Sequence, residues 1–428
     1  MIVPDPAFAT QPTVPAAAPL TLTGLEHRRG GASVRVEHAD GTPVAGACLT
    51  VEQVRHAFGF GNIGFDLIDW VNGEDDRAAP LLAQQHLDLF NAVTLPFYWR
   101  DFEPRRGSPA TERLLAAARW FAERGVQVKG HTLLWHTLAP TWLLDLSDAQ
   151  AEAVMRARIS RETRDFAGVV DQWDAINEAV ILPVFTAEAN AVTRLARAKG
   201  RVEMVRMAFD AARDGDPHAR LVLNDFDLSE DYAHLIEDCL SAGIQIDAIG
   251  LQTHMHQGYR GEEATLEILE RFARFGLPLQ MTETTLVSGH LMPPHIVDLN
   301  DYQVDHWPST PDGEARQADD IVRHYRTLVG HPAVESITYW GLTDAGAWLG
   351  APAGLVRADG SLKPSYEALH ALIKGEWWLA PTEVCTDDSG TFDLTGFAGE
   401  YRVSGPDGRS ASVTVAAGRE QRVSLTLA

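Results

Sequence analysis

Cysteine is scarce. Cys48, Cys239 and Cys385 are the only three in 428 residues, far apart and with no CxxC spacing, which excludes a zinc knuckle or a multi-bridge framework and leaves room for one disulfide at most. No apolar run reaches the roughly 18 residues that a membrane span needs. Positive charge is in deficit: 36 Lys and Arg stand against 59 Asp and Glu, a net charge of −23. A field of that sign repels phosphate backbones and anionic bilayers, so neither nucleic acid nor a membrane is an expected partner. The first residues carry no basic n-region and no apolar h-region, so no secretory signal is read there. The expectation is a cytoplasmic chain, or a secreted one whose signal has been removed. What is present is ordinary globular material, 45% hydrophobic and 22% charged, enough for a large core. Eleven Trp and sixteen Phe are many for an acidic chain, and aromatic faces beside carboxylates suit neutral, polyhydroxylated ligands such as sugars. A carbohydrate is the expected partner.

The length suggests two or three domains, or one large barrel with an appendage. Residues 1–20, rich in Pro, Ala and Thr without periodicity, read as an extended leader. Residues 21–56 read as β: apolar and polar residues alternate on either side of Asp40-Gly41, a turn dipeptide that predicts a hairpin or strand pair between 32 and 60. From 57 to 374 short apolar runs alternate with helical stretches such as 263–276, where Leu266, Leu269, Phe272 and Ala273 share one face. Strand candidates fall at 57–61, 90–97, 126–132, 170–177, 220–225, 246–252, 277–283 and 335–341. Eight strand and helix units in succession predict a (β/α)8 TIM barrel of the α/β class. Residues 375–428 revert to β, with turns at Asp388-Ser389-Gly390, Gly399 and Asp407-Gly408, and predict a small sandwich. Segments 40–52 and 386–403 resemble the two halves of one transthyretin-like β-sandwich, as found in carboxypeptidase regulatory-type repeats. The barrel is therefore expected to interrupt a single sandwich, because an isolated N-terminal hairpin is marginal in water.

Each barrel run ends on a polar or aromatic group: His131, Asn177 with Glu178, Asn224 with Asp225, Gln252 with His254, Glu283 and Trp340. Such ends share the rim where barrel enzymes place their chemistry. Glu178, in WDAINEAV, and Glu283, in LQMTETTL, close the fourth and seventh runs. An unpaired charge at a buried strand end is costly unless it is used. Cleavage of a glycosidic bond needs two carboxyls, one to protonate the departing oxygen and one to attack or to direct water. A single Glu here reads as readily as a salt-bridge or capping residue; the pair at corresponding positions points to glycoside cleavage. His254 could donate to Glu283 and keep it ionised; it, His131 and His136 read alternatively as core or capping histidines. A zinc site of His131, His136, His254 and His256 lacks a supporting ligand motif such as HExxH. No metal and no cofactor is expected.

Six ordered segments, KGHTLLWH (129–136), WDAINEA (173–179), LVLNDF (221–226), GLQTH (250–254), MTET (281–284) and YWGLTDAGAW (339–348), resemble the motifs of glycoside hydrolase family 10, over about residues 57–373. That family contains endo-β-1,4-xylanases and members active on cellulose or glycoalkaloids. The resemblance implies a retaining double displacement with Glu178 as general acid/base and Glu283 as nucleophile. It implies that Asn177 binds the sugar 2-hydroxyl, that His131 bonds a hydroxyl of the same sugar, and that Trp135, Trp340 and Trp348 pack around that sugar. His136, Asn224, Gln252 and His254 belong to the same motifs, as substrate-binding candidates. One segment departs from the family. Where xylanases carry a Glu-Asn-x-Met-Lys-Trp run, this chain reads Thr94-Leu95-Pro96-Phe97-Tyr98-Trp99, without the polar triad that holds a second glycone sugar. Leu138 likewise replaces an expected Gln. Weak activity on unsubstituted xylan is expected, with Phe97 and Tyr98 offering an apolar face instead. The alternatives are a decorated or non-xylan β-glycoside as substrate, or a non-catalytic carbohydrate-binding barrel.

Overall fold

The computed structural model describes residues 22–74 and 78–427; the leader expected over 1–20 lies outside them. Two strands, β1 (Arg29–Glu37) and β2 (Cys48–His56), precede the barrel. The barrel strands are β3 (Gly59–Ile63), β4 (Ala92–Pro96), β5 (Gln127–His131), β6 (Gln172–Asn177), β7 (Arg220–Asp225), β8 (Ala248–Met255), β9 (Leu279–Leu286) and β10 (Val334–Tyr339). They pair in parallel, each with its successor, and β10 returns to β3 to close the ring. This is the expected (β/α)8 architecture. Every residue of β6 and of β9 is buried, as befits parallel strands covered on both faces. The interior is tight enough to dictate glycine: a Cβ on Gly250 would lie 2.4 Å from Asn224 Oδ1, so only Gly leaves that amide its place at the rim.

The helix Asp148–Asp165 starts on a Ser147 and Gln150 capping box and carries Arg158, a buried cation. Its guanidinium donates to the carbonyls of Leu133 and, at 2.6 Å, Phe97. One side chain thereby fixes the loops that follow β4 and β5, which hold Tyr98 and Trp135.

Five strands follow the barrel: β11 (Thr382–Cys385), β12 (Thr391–Phe397), β13 (Gly399–Ser404), β14 (Ser410–Val415) and β15 (Glu420–Thr426). They form two sheets with the N-terminal pair, in the orders β12-β1-β15 and β11-β2-β13-β14. Val34, Val36, Leu49, Val51, Phe392, Tyr401, Val403 and Val415 pack into one apolar cluster between them. The expected hairpin does not form: β1 and β2 lie in opposite sheets, and the Asp40-Gly41 turn closes only an isolated bridge from Glu37 to Pro43. Alternation marks a half-buried strand but not its partner; both strands face the same core, from opposite sides. Cys48 and Cys385 are disulfide-bonded and tie β2 to β11, while Cys239 is free and buried.

The sandwich meets the closed lower end of the barrel through Arg28. Its guanidinium donates to the carbonyls of Val329 (2.9 Å), His331 (2.6 Å) and Val334 (2.5 Å) and lies over the Phe58 ring. Trp377 is buried against Phe60 at the same junction. Hydrogen bonds made by a charged group are worth about 1.5–3 kcal/mol each. Arg28→Met is expected to cost about 3 kcal/mol, read as a lower urea midpoint; an unchanged midpoint would show that the junction does not depend on this cation.

Candidate active site

Glu178 follows β6 directly, with φ at +57°. A residue with a Cβ pays about 1–3 kcal/mol to sit in that left-handed region, a strain that the surrounding structure must enforce. The backbone is held by the Glu178 amide donating to Asn224 O at 2.9 Å. Its side chain receives three donors: Trp135 Nε1 at 2.7 Å, Asn177 Nδ2 at 3.1 Å and Gln252 Nε2 at 3.3 Å. His136 Nε2 lies 3.6 Å away, but burial pushes that imidazole down to about 3, so it stands neutral and offers no cation. Burial raises the Glu178 carboxyl to about 7; the Trp135 bond opposes the rise and the nearby charge of Glu283 adds to it. At neutral pH Glu178 therefore holds a proton for a substantial part of the time.

Glu283, inside β9, has different company. His254 Nε2 lies 3.0 Å from Oε2, Asn224 Nδ2 donates to Oε1 at 3.0 Å, and His131 Nε2 is 3.9 Å from Oε1. The two carboxylates are joined by an amide cluster: Asn224 Nδ2 also donates to Asn177 Oδ1 at 2.7 Å, and Gln252 Nε2 reaches the same oxygen at 3.1 Å. Thr282 Oγ1 donates to Asn224 Oδ1 at 2.6 Å, which fixes the orientation of that amide.

A buried ion pair lies beneath the rim. His131 Nδ1 is 2.7 Å from Asp174 Oδ2, and Lys129 Nζ is 2.6 Å from Asp174 Oδ1. Burial alone would raise the Asp174 carboxyl; the charge of Lys129 and the His131 bond outweigh it and hold Asp174 below its ordinary value. With Nδ1 turned to the Asp174 carboxylate, the His131 ring presents Nε2 to the cleft, 3.9 Å from Glu283 Oε1. The rings of Trp340 and His131 meet edge to face at 5.2 Å, and Trp348, 39% exposed, packs on His254 at 4.9 Å.

All twelve residues singled out from the sequence, Tyr98, His131, Trp135, His136, Asn177, Glu178, Asn224, Gln252, His254, Glu283, Trp340 and Trp348, meet in this one contact network. Trp135, expected as a packing ring, also donates its indole N–H to Glu178. Phe97 is a correction: it is fully buried among Phe102, Phe166 and Trp173 and offers no face to the cleft. Successive residues of an extended segment point to opposite sides, so Tyr98, half-buried against His131 and Trp135, reaches the site and Phe97 cannot. Lys129, Asp174 and Thr282 join the site although the motifs did not single them out; Lys129, two residues before His131 on the same strand face, had a signal in the sequence. Among the described residues, the one grouping of metal-type ligands is Cys48, Glu383 and Cys385 on the sandwich, where the two sulfurs are bonded to each other.

The model of the family described as glycosyl hydrolase family 10 matches residues 80–372. Anti-sigma-I factor RsgI6 of Acetivibrio thermocellus is 25% identical over 388 residues, covering 89% of this chain and 45% of that protein. Endo-1,4-beta-xylanase C of Paenibacillus barcinonensis is 25% identical over 341 residues, covering 70% of this chain and 30% of its own length. The chain thus spans less than half the length of either relative. Among solved structures, xylanase 10B of Thermotoga petrophila in complex with xylobiose superposes with a TM-score of 0.62 at 22% identity, covering 75% of this chain and 95% of that one. That likeness is one of fold.

Asp174→Asn leaves Lys129 as an uncompensated buried charge, at an expected cost of about 3–5 kcal/mol. Combining it with Lys129→Met should restore most of that stability, but not the orientation of His131 and hence not turnover. Urea midpoints and kcat/KM of both variants check this; full activity in the double variant would show that the pair does not position His131.

Proposed function

The chain belongs to glycosyl hydrolase family 10, and on that premise we propose that it cleaves β-glycosidic bonds with retention, by double displacement. The observation that carries this reading is the contrast between two carboxyls on one amide cluster, one pushed up to about 7 and one surrounded by donors. Glu178 protonates the departing oxygen while a Glu283 oxygen attacks the anomeric carbon; the C–O bond to the aglycone breaks and a glycosyl ester forms. Glu178, now ionised, takes a proton from water, which attacks the same carbon and releases Glu283. Asn177, Asn224 and Gln252 orient both carboxyls, and His131 hydrogen-bonds a hydroxyl of the bound sugar.

The named activity of the Paenibacillus barcinonensis relative supports a β-1,4-linked xylan-type chain as the substrate class. The departure at 94–99 argues for weak hold on an unsubstituted one. The second reading is a barrel that binds glycans without cleaving them; the relative named as an anti-sigma-I factor has no hydrolase activity in its name. We also propose that residues 57–374 form the catalytic barrel, and that 21–56 and 375–428 together form one accessory sandwich which the barrel interrupts.

Two outcomes are expected. Proton NMR of early turnover of an aryl β-glycoside should show the β-anomer first; the α-anomer first would mean inversion. Glu178→Gln and Glu283→Gln should each lose at least about 10³-fold in rate with the fold intact, and Glu178→Gln should keep most activity on aglycones that leave without acid help. Near wild-type rates in Glu283→Gln would remove it as nucleophile, and no hydrolysis by the wild type would favour the binding reading.

A further inference from the structure

The site's two ends can be told apart by chemistry. The aglycone must leave on the side of the group that protonates its oxygen, so it runs past Glu178 and the residues around that carboxyl, Trp135 and His136. On the proposed mechanism the glycone ring lies over Glu283, toward His131, 3.9 Å from that carboxylate, and Trp340, in ring contact with His131. What stands at that far end is Phe65. It opens the short turn Phe65–Leu67 after β3, and sequence reasoning did not single it out. Its ring meets Tyr98 edge to face at 5.9 Å and Trp340 edge to face at 5.7 Å. Tyr98 continues to His131 at 5.7 Å and Trp340 to His131 at 5.2 Å, so the loops after β3, β4 and β10 close an unbroken arc of touching rings.

Rings at these spacings are in van der Waals contact, and no sugar passes between them. The arc is also poor in polar groups where a second glycone sugar would need them. Phe65 carries no polar atom, and the Tyr98 phenol beside it stays protonated: burial first, then the charges of Glu283 and Glu178, hold it well above its ordinary value. Sugar hydroxyls turned toward Phe65 would lose their water and gain no hydrogen bond there.

We infer that Phe65, bridging Tyr98 and Trp340, limits the glycone side to a single sugar, so that the chain releases one sugar at a time from the non-reducing end of β-glycosides. This rests on the hydrolase reading and narrows it to a class of substrate. The test is a matched pair of aryl β-glycosides, a xyloside and a xylobioside with the same leaving group, assayed on the full chain. The expected ratio of kcat/KM, bioside over monoside, is about one or less, with xylose as the first product from reducing-end-labelled xylo-oligosaccharides. Phe65→Ala should raise that ratio about tenfold, a usual worth for one pocket contact, and Phe65→Leu, which keeps more of the packing, should raise it less. A wild-type ratio well above one, or internal cleavage of the labelled chain, would overturn the inference alone. Hydrolysis of neither glycoside would overturn the hydrolase reading and this inference with it.

Discussion

Two carboxylates buried on one rim repel each other, and in a medium that screens poorly they cannot both stay ionised cheaply. The arrangement around Glu178 and Glu283 answers that constraint by treating the two unequally. Glu283 is bonded to His254 and Asn224, groups aimed at a charge. Glu178 has its own donors, but burial outweighs them. On the proposed reading the repulsion becomes a division of labour, with Glu178 as the proton donor and Glu283 as the nucleophile.

That division needs a frame that does not relax. Asn177, Asn224 and Gln252 are each bonded to more than one partner, and Thr282 leaves Asn224 no freedom to flip. Below them Lys129 neutralises Asp174 and Asp174 orients His131, a buried pair whose worth lies in geometry more than in net stability. From outside the barrel Arg158 pins the loops that carry Tyr98 and Trp135. The positive φ of Glu178 is tolerated because this frame over-determines it.

Much of this was legible in the sequence because six of the eight barrel strands repeat one instruction: an apolar run, then a chemistry-bearing residue. Glu178, Glu283 and their amide partners fall where that rhythm places them. Three features were not legible, for separate reasons. Strand alternation around Asp40-Gly41 could not reveal that β1 and β2 belong to opposite sheets, because pairing is decided by strands more than 300 residues away. Phe97 and Tyr98 look alike as aromatic neighbours, yet a single step along the chain sends one into the core and the other to the cleft. Phe65 follows an unremarkable strand, and its meaning lies only in its contacts with loops 33 and 275 residues further on.

The account's central claim is that environment, and not residue type, separates the two glutamates. The most direct measurement is an NMR titration of the chain carrying ¹³C-labelled glutamate side chains. One carboxyl should titrate near 7, vanish in Glu178→Gln and move down in Glu283→Gln, where the neighbouring charge is gone. If the carboxyl assigned to Glu178 instead titrates near the ordinary value of about 4.3, and Glu283→Gln leaves it unmoved, the proposed division of labour is contradicted.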